Sequence, residues 1–406
     1  MECDRGSGIT GDMKTSLYIH IPFCKHRCHY CDFITTAGRE AELPGYVDAL
    51  IQEIRIANSA DRKINLHSIY FGGGTPSLVS LKGYEQVFNA ICDSFELTED
   101  CEISLEANPG TIDYDYLVGL RNIGFNRISI GVQSTDSFDL RRLDRIHDIQ
   151  DVINSVSDAR RAGFENMNLD LIFGLPWQDL ESWRNSLQRA IDLKPSHFSL
   201  YALIIEEGTA LYRWHQKGLI EPQDQDLQAD MYELAMEMLQ AEGYEHYEIS
   251  NWAKADSLKD YRCRHNLQYW LNDPYLGMGA GAQGYFKNHR LVNPNNLTDY
   301  LLRMNSINAD TAAFPETPAT ISIEFVDLDT RMNDEMMLGL RLIQQGVSVD
   351  RFMDRYQVSL QEKFGAVLDR LIRLGLIEWV GEGDNRRVRL THHGILVANQ
   401  VFMEFV

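Results

Sequence analysis

Basic charge is what this chain lacks most. Its 406 residues carry 38 Lys and Arg against 59 Asp and Glu, a formal net charge of −21. Such a surface repels phosphate backbones and anionic lipid, which argues against nucleic-acid binding as a main role. Long apolar runs are missing too, and none approaches the roughly 18 residues of a membrane span. The first 15 residues, MECDRGSGITGDMKT, have neither an apolar signal core nor the Arg-rich character of a transit peptide. There is no internal repeat and no low-complexity tract. Cysteine is sparse, and Cys3, Cys92, Cys101 and Cys263 are scattered without a pairing pattern. A reducing cytoplasm is therefore the expected location. What is present is a hydrophobic content of 44%, enough to build large cores in two domains.

The remaining three cysteines sit in one loop, Cys24-Lys25-His26-Arg27-Cys28-His29-Tyr30-Cys31. It directly follows Leu17-Tyr18-Ile19-His20-Ile21, a β-branched apolar run that reads as a strand. Three thiolates spaced CxxxCxxC can hold three irons of a [4Fe–4S] cluster and leave the fourth without a protein ligand. An open iron can chelate a small molecule and pass it an electron. A structural zinc site would need a fourth ligand, and His26 and His29 lie in the same tight loop, where a tetrahedron closes awkwardly. A disulfide pair would leave one thiol over. The spacing resembles the cluster loop of radical S-adenosylmethionine (SAM) proteins, in which the amino and carboxylate groups of SAM fill the open site.

From residue 16 to about 250, β-rich runs alternate with helical patterns. Strands are expected at Ser16–Ile21, Ser68–Phe71, Glu102–Leu105, Arg127–Val132, Asn168–Phe173, Phe198–Leu203 and Tyr247–Ile249. Amphipathic stretches such as Tyr46–Ala57, Tyr84–Cys92, Asp151–Ala162 and Leu227–Leu239 lie between them. Strands separated by helices imply βαβ units and a parallel sheet. The fold class expected is α/β, a partial (β/α)6 TIM-like barrel over residues 1–290. Residues 291–320, rich in Asn, Thr, Ala and Pro, read as a linker. Residues 321–406 read as a winged-helix-like α+β domain, with helices at Asn333–Leu342 and Leu360–Leu374. A hairpin there, Leu376–Val380 and Arg387–Leu390, turns at Gly381-Glu382-Gly383-Asp384-Asn385.

Polar residues recur at the carboxyl ends of the expected strands, where α/β barrels build their ligand sites. Gly72-Gly73-Gly74-Thr75-Pro76 offers backbone that a ligand can approach closely. It lacks the Gly-Lys-Ser/Thr ending of a phosphate loop. Glu106, Gln133 and Asp170 follow on successive strands, and Arg145 lies just beyond. Carboxylates suit ribose hydroxyls or a sulfonium, and Arg suits a carboxylate. Tyr18, Phe23, Tyr30 and Phe33 would keep the mouth dry, or serve ordinary packing. A second constellation is Arg264-His265-Asn266-Leu267-Gln268-Tyr269-Trp270, followed by the Gly-rich run Tyr275–Gly284. His can ligate iron, and aromatic, Gly-rich surface suits a flat macrocycle, although a lone His is more often structural.

Five ordered motifs carry a resemblance that covers residue 16 to the C-terminus. They are Tyr18–Cys31, Gly72–Pro76, Glu106-Ala107-Asn108-Pro109, Gly131-Val132-Gln133-Ser134 and Asp170–Pro176. Together they resemble the oxygen-independent coproporphyrinogen III oxidase family. The resemblance implies that Cys24, Cys28 and Cys31 bind the cluster. It places Tyr18, Tyr30, Phe33, Gly73, Gly74, Thr75, Glu106, Gln133, Arg145 and Asp170 at SAM-contacting positions. Two departures separate the chain from the oxidases. Phe33 stands where they have a fourth cysteine, and only 23 residues precede Cys24. Both features are similar to the HemW branch, understood as heme chaperones, whose His-Asn-x-x-Tyr-Trp motif is present as His265–Trp270. The resemblance then implies heme contacts at His265, Tyr269 and Trp270. It implies as partners heme, a heme-accepting respiratory protein and an electron donor such as flavodoxin or ferredoxin. That branch usually has His in the later glycine run where this chain has Gln283. The alternatives are coproporphyrinogen III oxidation, with a radical removing a propionate hydrogen, or another radical SAM reaction on tetrapyrroles.

Overall fold

The computed structural model describes residues 14–57, 63–306 and 314–406; Cys3 and part of the expected linker lie outside these ranges. Twelve strands form one open sheet. The first, β1 (Thr15–Ile21), leads into the cysteine loop, where β2 (Phe23–Cys24) and β3 (Thr36–Ala37) form a small parallel ladder. Then come β4 (Asn65–Gly73), β5 (Glu96–Ala107), β6 (Arg127–Gln133), β7 (Asn166–Phe173) and β8 (His197–Ala202). β1, β4, β5, β6, β7 and β8 are neighbours in that order and all parallel. This is the six-stranded βα succession expected from the sequence.

The sheet continues beyond those six. The expected strand Tyr247–Ile249 overlaps the first of the added strands, and the alternating pattern does not foretell the others. β9 (Tyr244–Glu248) and β10 (Asn251–Lys254) extend one side in antiparallel fashion from β8. On the other side β11 (Tyr275–Met278) pairs parallel with β1. It is followed outward by the antiparallel strands β12 (Gln283–Phe286), β13 (His289–Val292) and β14 (Ser322–Phe325). β9 and β14 are the two outer strands, so the barrel stays open.

Strand alternation sorts the side chains. Leu17, Ile69, Ile103, Ile128, Leu169 and Phe198 are buried in the large apolar core beneath the helices. The alternate residues Ser16, Ser68, Ser104, Ser129, Asn168 and Ser199 line a small, polar and equally buried interior. Ser104 Oγ has no partner among the described residues. The other five bond within this interior, as in Ser16 with Ser68 (2.6 Å) and Asn168 Nδ2 to Ser129 Oγ (2.6 Å). Such satisfaction is what makes a polar lumen tolerable.

The stretch expected as a linker is not a plain tether. Helix Leu297–Asn305 lies in it, and Leu297, Tyr300 and Met304 are buried in the barrel's core. Buried Glu53, on helix Leu43–Ile56, binds the segment down. It accepts from Gly279 N (2.8 Å), Asn293 Nδ2 (2.8 Å), Tyr300 OH (2.8 Å) and Thr317 Oγ1 (3.0 Å). The four donors offset the burial that pushes the carboxyl's pKa up. A second core begins at Met332 and runs to Phe405. There β15 (Val347–Ser348), β16 (Ile377–Val380) and β17 (Arg387–Leu390) form a small antiparallel sheet against helices Val349–Tyr356 and Leu360–Arg373. The expected wing hairpin is present, and the expected helix Leu360–Leu374 is the helix Leu360–Arg373. The expected helix Asn333–Leu342 lies a few residues earlier, at Leu328–Gly339, and helix Val349–Tyr356 is not among those expected. Cys92 is disulfide-bonded, a pairing that the cysteine spacing does not announce.

Candidate functional site

The cysteine loop lies over the carboxyl ends of β1, β4, β5 and β6. Gly74 N donates to Ile21 O (2.8 Å) and Thr75 N to Phe23 O (2.7 Å), which pins the Gly72–Thr75 turn against the start of the loop. A Cβ on Gly74 would stand 2.6 Å from Phe23 O and 2.9 Å from Cys24 Sγ, so only glycine permits this approach. Cys24 is buried, and Cys28 and Cys31 are partly exposed. Burial pushes the Cys24 thiol up to about 11, partly offset by the Thr75 hydroxyl, and raises Cys31 as well.

Two side chains donate to these sulfurs: Thr75 Oγ1 to Cys24 Sγ (3.6 Å) and Arg145 Nη1 to Cys28 Sγ (3.5 Å). Donors aimed at thiolate sulfur are the surroundings an iron–sulfur cluster requires. The loop histidines face elsewhere. His26 pairs with Asp144, and His29 Nε2 stands 3.1 Å from the same carboxylate, while His29 Nδ1 meets Arg142 O (3.1 Å). A fourth zinc ligand from this loop is thus not on offer. Among the described residues no three potential ligands are already drawn together as a metal site; the thiols share a loop but are not pulled into one point. The residues fit a cluster by donor chemistry: three cysteines, with hydrogen bonds directed to two of them.

The acidic rim residues are both largely withdrawn from solvent and held by different partners. Glu106, closing β5, accepts from Tyr70 OH (2.9 Å) and from Gly73 N (3.0 Å). Burial first, and then the Asp170 carboxylate, push its pKa up to about 7. Asp170 accepts from Ser129 Oγ (2.9 Å) and Asn168 Nδ2 (2.7 Å), and its pKa is raised by burial. Gln133 follows an irregularity in the pairing of β6 with β7 and has φ of 66°. A local kink of this kind re-aims a side chain at a strand end. Arg145 reaches under the loop to Cys28, Gly131 O (2.8 Å) and Asn108 Oδ1 (2.5 Å). Asn108 also donates to Thr75 (3.0 Å), a linking role not visible in the motif Glu106–Pro109.

Beside the loop a cavity of about 310 Å³ opens between Tyr18, His20, Phe33, Ile34, Tyr269, Tyr275 and Gln283. Phe33 is 66% exposed at its edge. Tyr18 OH bonds to His20 Nδ1 (2.9 Å), and His20 Nε2 to Ile34 O (2.8 Å), so this wall is fixed. Tyr30 sits apart from it, against the small cluster of Leu143, Ile172 and Leu175, and burial raises its phenol pKa.

The constellation Arg264–Trp270 is a short helix turned inward. His265 is 1% exposed, with Nδ1 bonded to Ser68 (3.0 Å) and Nε2 to Tyr269 OH (2.9 Å). Burial drives its pKa down to about 3, so the imidazole is neutral. Glu102 caps the helix start, accepting from Arg264 N (3.2 Å) and His265 N (3.2 Å). At the other end Arg355 and Arg351 of the C-terminal domain donate to Leu271 O and pair with Asp273. Trp270 lies under the Arg341 guanidinium, 4.3 Å from its ring centroid. Of the three motif side chains, only Tyr269 reaches the cavity. The Gly-rich run is also structural: a Cβ on Gly277 would fall 1.9 Å from Gln283 O, where β11 and β12 close on each other.

Comparison with known proteins agrees with this architecture. The Radical SAM superfamily matches residues 18–190, and the HemN C-terminal domain matches residues 326–397. A heme chaperone HemW from Bacillus subtilis (strain 168) is 38% identical over 392 residues, spanning 96% of this chain and 99% of that protein. The protein of the same name from Lactococcus lactis subsp. lactis (strain IL1403) is 34% identical, over 96% and 97%. Among solved structures, the coproporphyrinogen III oxidase HemN from Escherichia coli superimposes with a TM-score of 0.80. It covers 97% of this chain and 90% of that one, and at 23% identity it speaks for the fold. The chain belongs to the HemW family of radical SAM proteins.

Proposed function

We propose that this protein is a heme chaperone: it binds heme beside a SAM-ligated [4Fe–4S] cluster and passes the heme to a respiratory acceptor protein. The end-to-end correspondence with proteins named heme chaperone HemW carries this reading. Phe33, standing where the related oxidases have a further cysteine, supports it. Cys24, Cys28 and Cys31 would hold the cluster. Gly73, Gly74, Thr75, Glu106, Gln133, Arg145 and Asp170, with Tyr18, Tyr30 and Phe33, would surround the bound SAM. Together those groups would supply single-electron chemistry when bound. Glu106 and Asp170 would then face a sulfonium or ribose hydroxyls, either of which offsets the cost of their burial.

For heme, the aromatic cavity of Tyr18, Phe33, Tyr269 and Tyr275 offers the flat, largely apolar surface that a macrocycle buries. His265 stands one hydrogen bond behind Tyr269, so its contribution would be to hold that wall. Lys25, His26 and Arg27 are exposed on the cluster loop of an acidic chain. They favour an acidic electron donor, such as flavodoxin or ferredoxin, docking there. A cytoplasmic setting would keep the three loop thiols reduced. The test is an anaerobic heme titration of the cluster-reconstituted protein, followed by its Soret band. Saturation at about one heme per chain is expected. Absence of specific binding, together with protoporphyrinogen formed from coproporphyrinogen III with SAM and reductant, would replace the chaperone by the oxidase.

A further inference from the structure

Thr75, just after β4, and Arg145, between the helices Ser137–Arg142 and Ile149–Arg161, are the donors to Cys24 and Cys28, and one side chain joins them. We infer that Asn108 is a positioning residue for the cluster, directing hydrogen bonds onto two cysteine sulfurs and so setting the cluster's reduction potential. The inference rests on the cluster reading proposed above and assigns a role to a residue outside the expected cluster and SAM contacts.

The proton directions follow from what each group can do. A guanidinium only donates, so Arg145 Nη2 requires the amide oxygen of Asn108, which it meets at 2.5 Å. That choice turns Asn108 Nδ2 toward Thr75 Oγ1, 3.0 Å away. The hydroxyl accepts there, leaving its single proton for Cys24 Sγ at 3.6 Å. Arg145 meanwhile spends Nη1 on Cys28 Sγ at 3.5 Å and is held by Gly131 O at 2.8 Å. The path Cys24–Thr75–Asn108–Arg145–Cys28 therefore has one consistent set of donors and acceptors. Thr75 is 3% exposed, and the path borders a narrow cavity of about 20 Å³, so water competes poorly for its bonds. Hydrogen bonds to ligating sulfur favour the more electron-rich reduced cluster and raise its potential. Asn108 links the two halves of the path by accepting from Arg145 and donating to Thr75. A leucine does neither, and an aspartate only accepts, so it would draw the Thr75 proton away from Cys24.

The test is an anaerobic redox titration of the reconstituted full chain, read by the EPR signal of the reduced cluster. The set is wild type, Asn108→Leu, Asn108→Asp and Thr75→Val, with each Asn108 change also made in the Thr75→Val background. Asn108→Leu is expected to load iron and sulfide like wild type and to show a more negative midpoint. In the Thr75→Val background its shift should shrink to the share carried through Arg145. Asn108→Asp keeps the shape of the side chain and serves if the leucine protein fails to load. Its negative shift should likewise be larger with Thr75 present than without. A loaded Asn108→Leu protein with the wild-type midpoint overturns the inference, as does a shift of equal size in both backgrounds. A wild-type chain that holds no iron–sulfur cluster overturns the cluster reading and this inference together.

Discussion

The loop Cys24–Cys31 and the helix Arg264–Trp270 have similar ingredients, histidine, arginine and aromatic rings packed into a few consecutive positions, but opposite fates. The loop stays at the barrel mouth with Lys25, His26 and Arg27 exposed. The helix packs against β1 and β4, capped by Glu102 at one end and clamped by Arg351 and Arg355 at the other. The difference teaches that residue type alone does not make a ligand site. In the loop, side chains aim donors at the cysteines. In the helix, every nitrogen of the histidine already has a partner.

The comparison breaks first, and most visibly, at the cysteines. Replacing Cys24, Cys28 and Cys31 together by Ser should abolish cluster assembly, with iron analysis near zero, while the fold persists in circular dichroism. The next largest effect should fall on the helix. His265→Ala removes a buried ring and leaves the Tyr269 hydroxyl without its partner, and should cost about 2–4 kcal/mol in urea unfolding of the apo chain. Phe33→Ala sharpens the contrast, because it should change stability by less than about 0.5 kcal/mol yet weaken heme binding severalfold in the Soret titration. If His265→Ala instead left stability intact and removed heme binding, the histidine would be a ligand after all.

A smaller effect concerns pH. Glu106 is raised to about 7 in the fold, above its unfolded value, so the native state holds the proton more tightly. Its contribution favours folding at acid pH and is lost as pH rises from about 4.5 through 7. Glu106 keeps an edge toward the mouth, so the loss should be on the order of 1 kcal/mol in the SAM-free protein. Glu106→Gln should flatten that slope of stability against pH; an unchanged slope would remove Glu106 as its source. The smallest effect is expected at Lys25→Glu with Arg27→Glu, which should slow reduction by an acidic donor only at low ionic strength.

Much of this was legible in the chain. The succession of β-branched runs and amphipathic stretches announced the six parallel strands, because periods of 2 and 3.6 residues are local properties. The CxxxCxxC spacing marked the loop, and the Gly72–Pro76 turn marked its neighbour. The sheet extensions β10 to β14 were not legible. They are short, four residues each, and their identity comes from pairing with strands already formed. The 291–320 stretch misled for a related reason. Its turn-forming composition suggested a tether, while buried Glu53, some 240 residues earlier, supplies the acceptors that fasten it.

By itself the sequence determined the period of each element, the acidic surface and the three thiols in one loop, since each depends only on residues close along the chain. Tertiary structure alone decided that Asn108 would bridge Thr75 and Arg145, that Tyr269 would face the cavity, and that His265 would be sealed behind it. Burial and hydrogen-bond partnership arise from residues far apart in sequence. They exist only once the sheet has brought those residues within about 3 Å of one another.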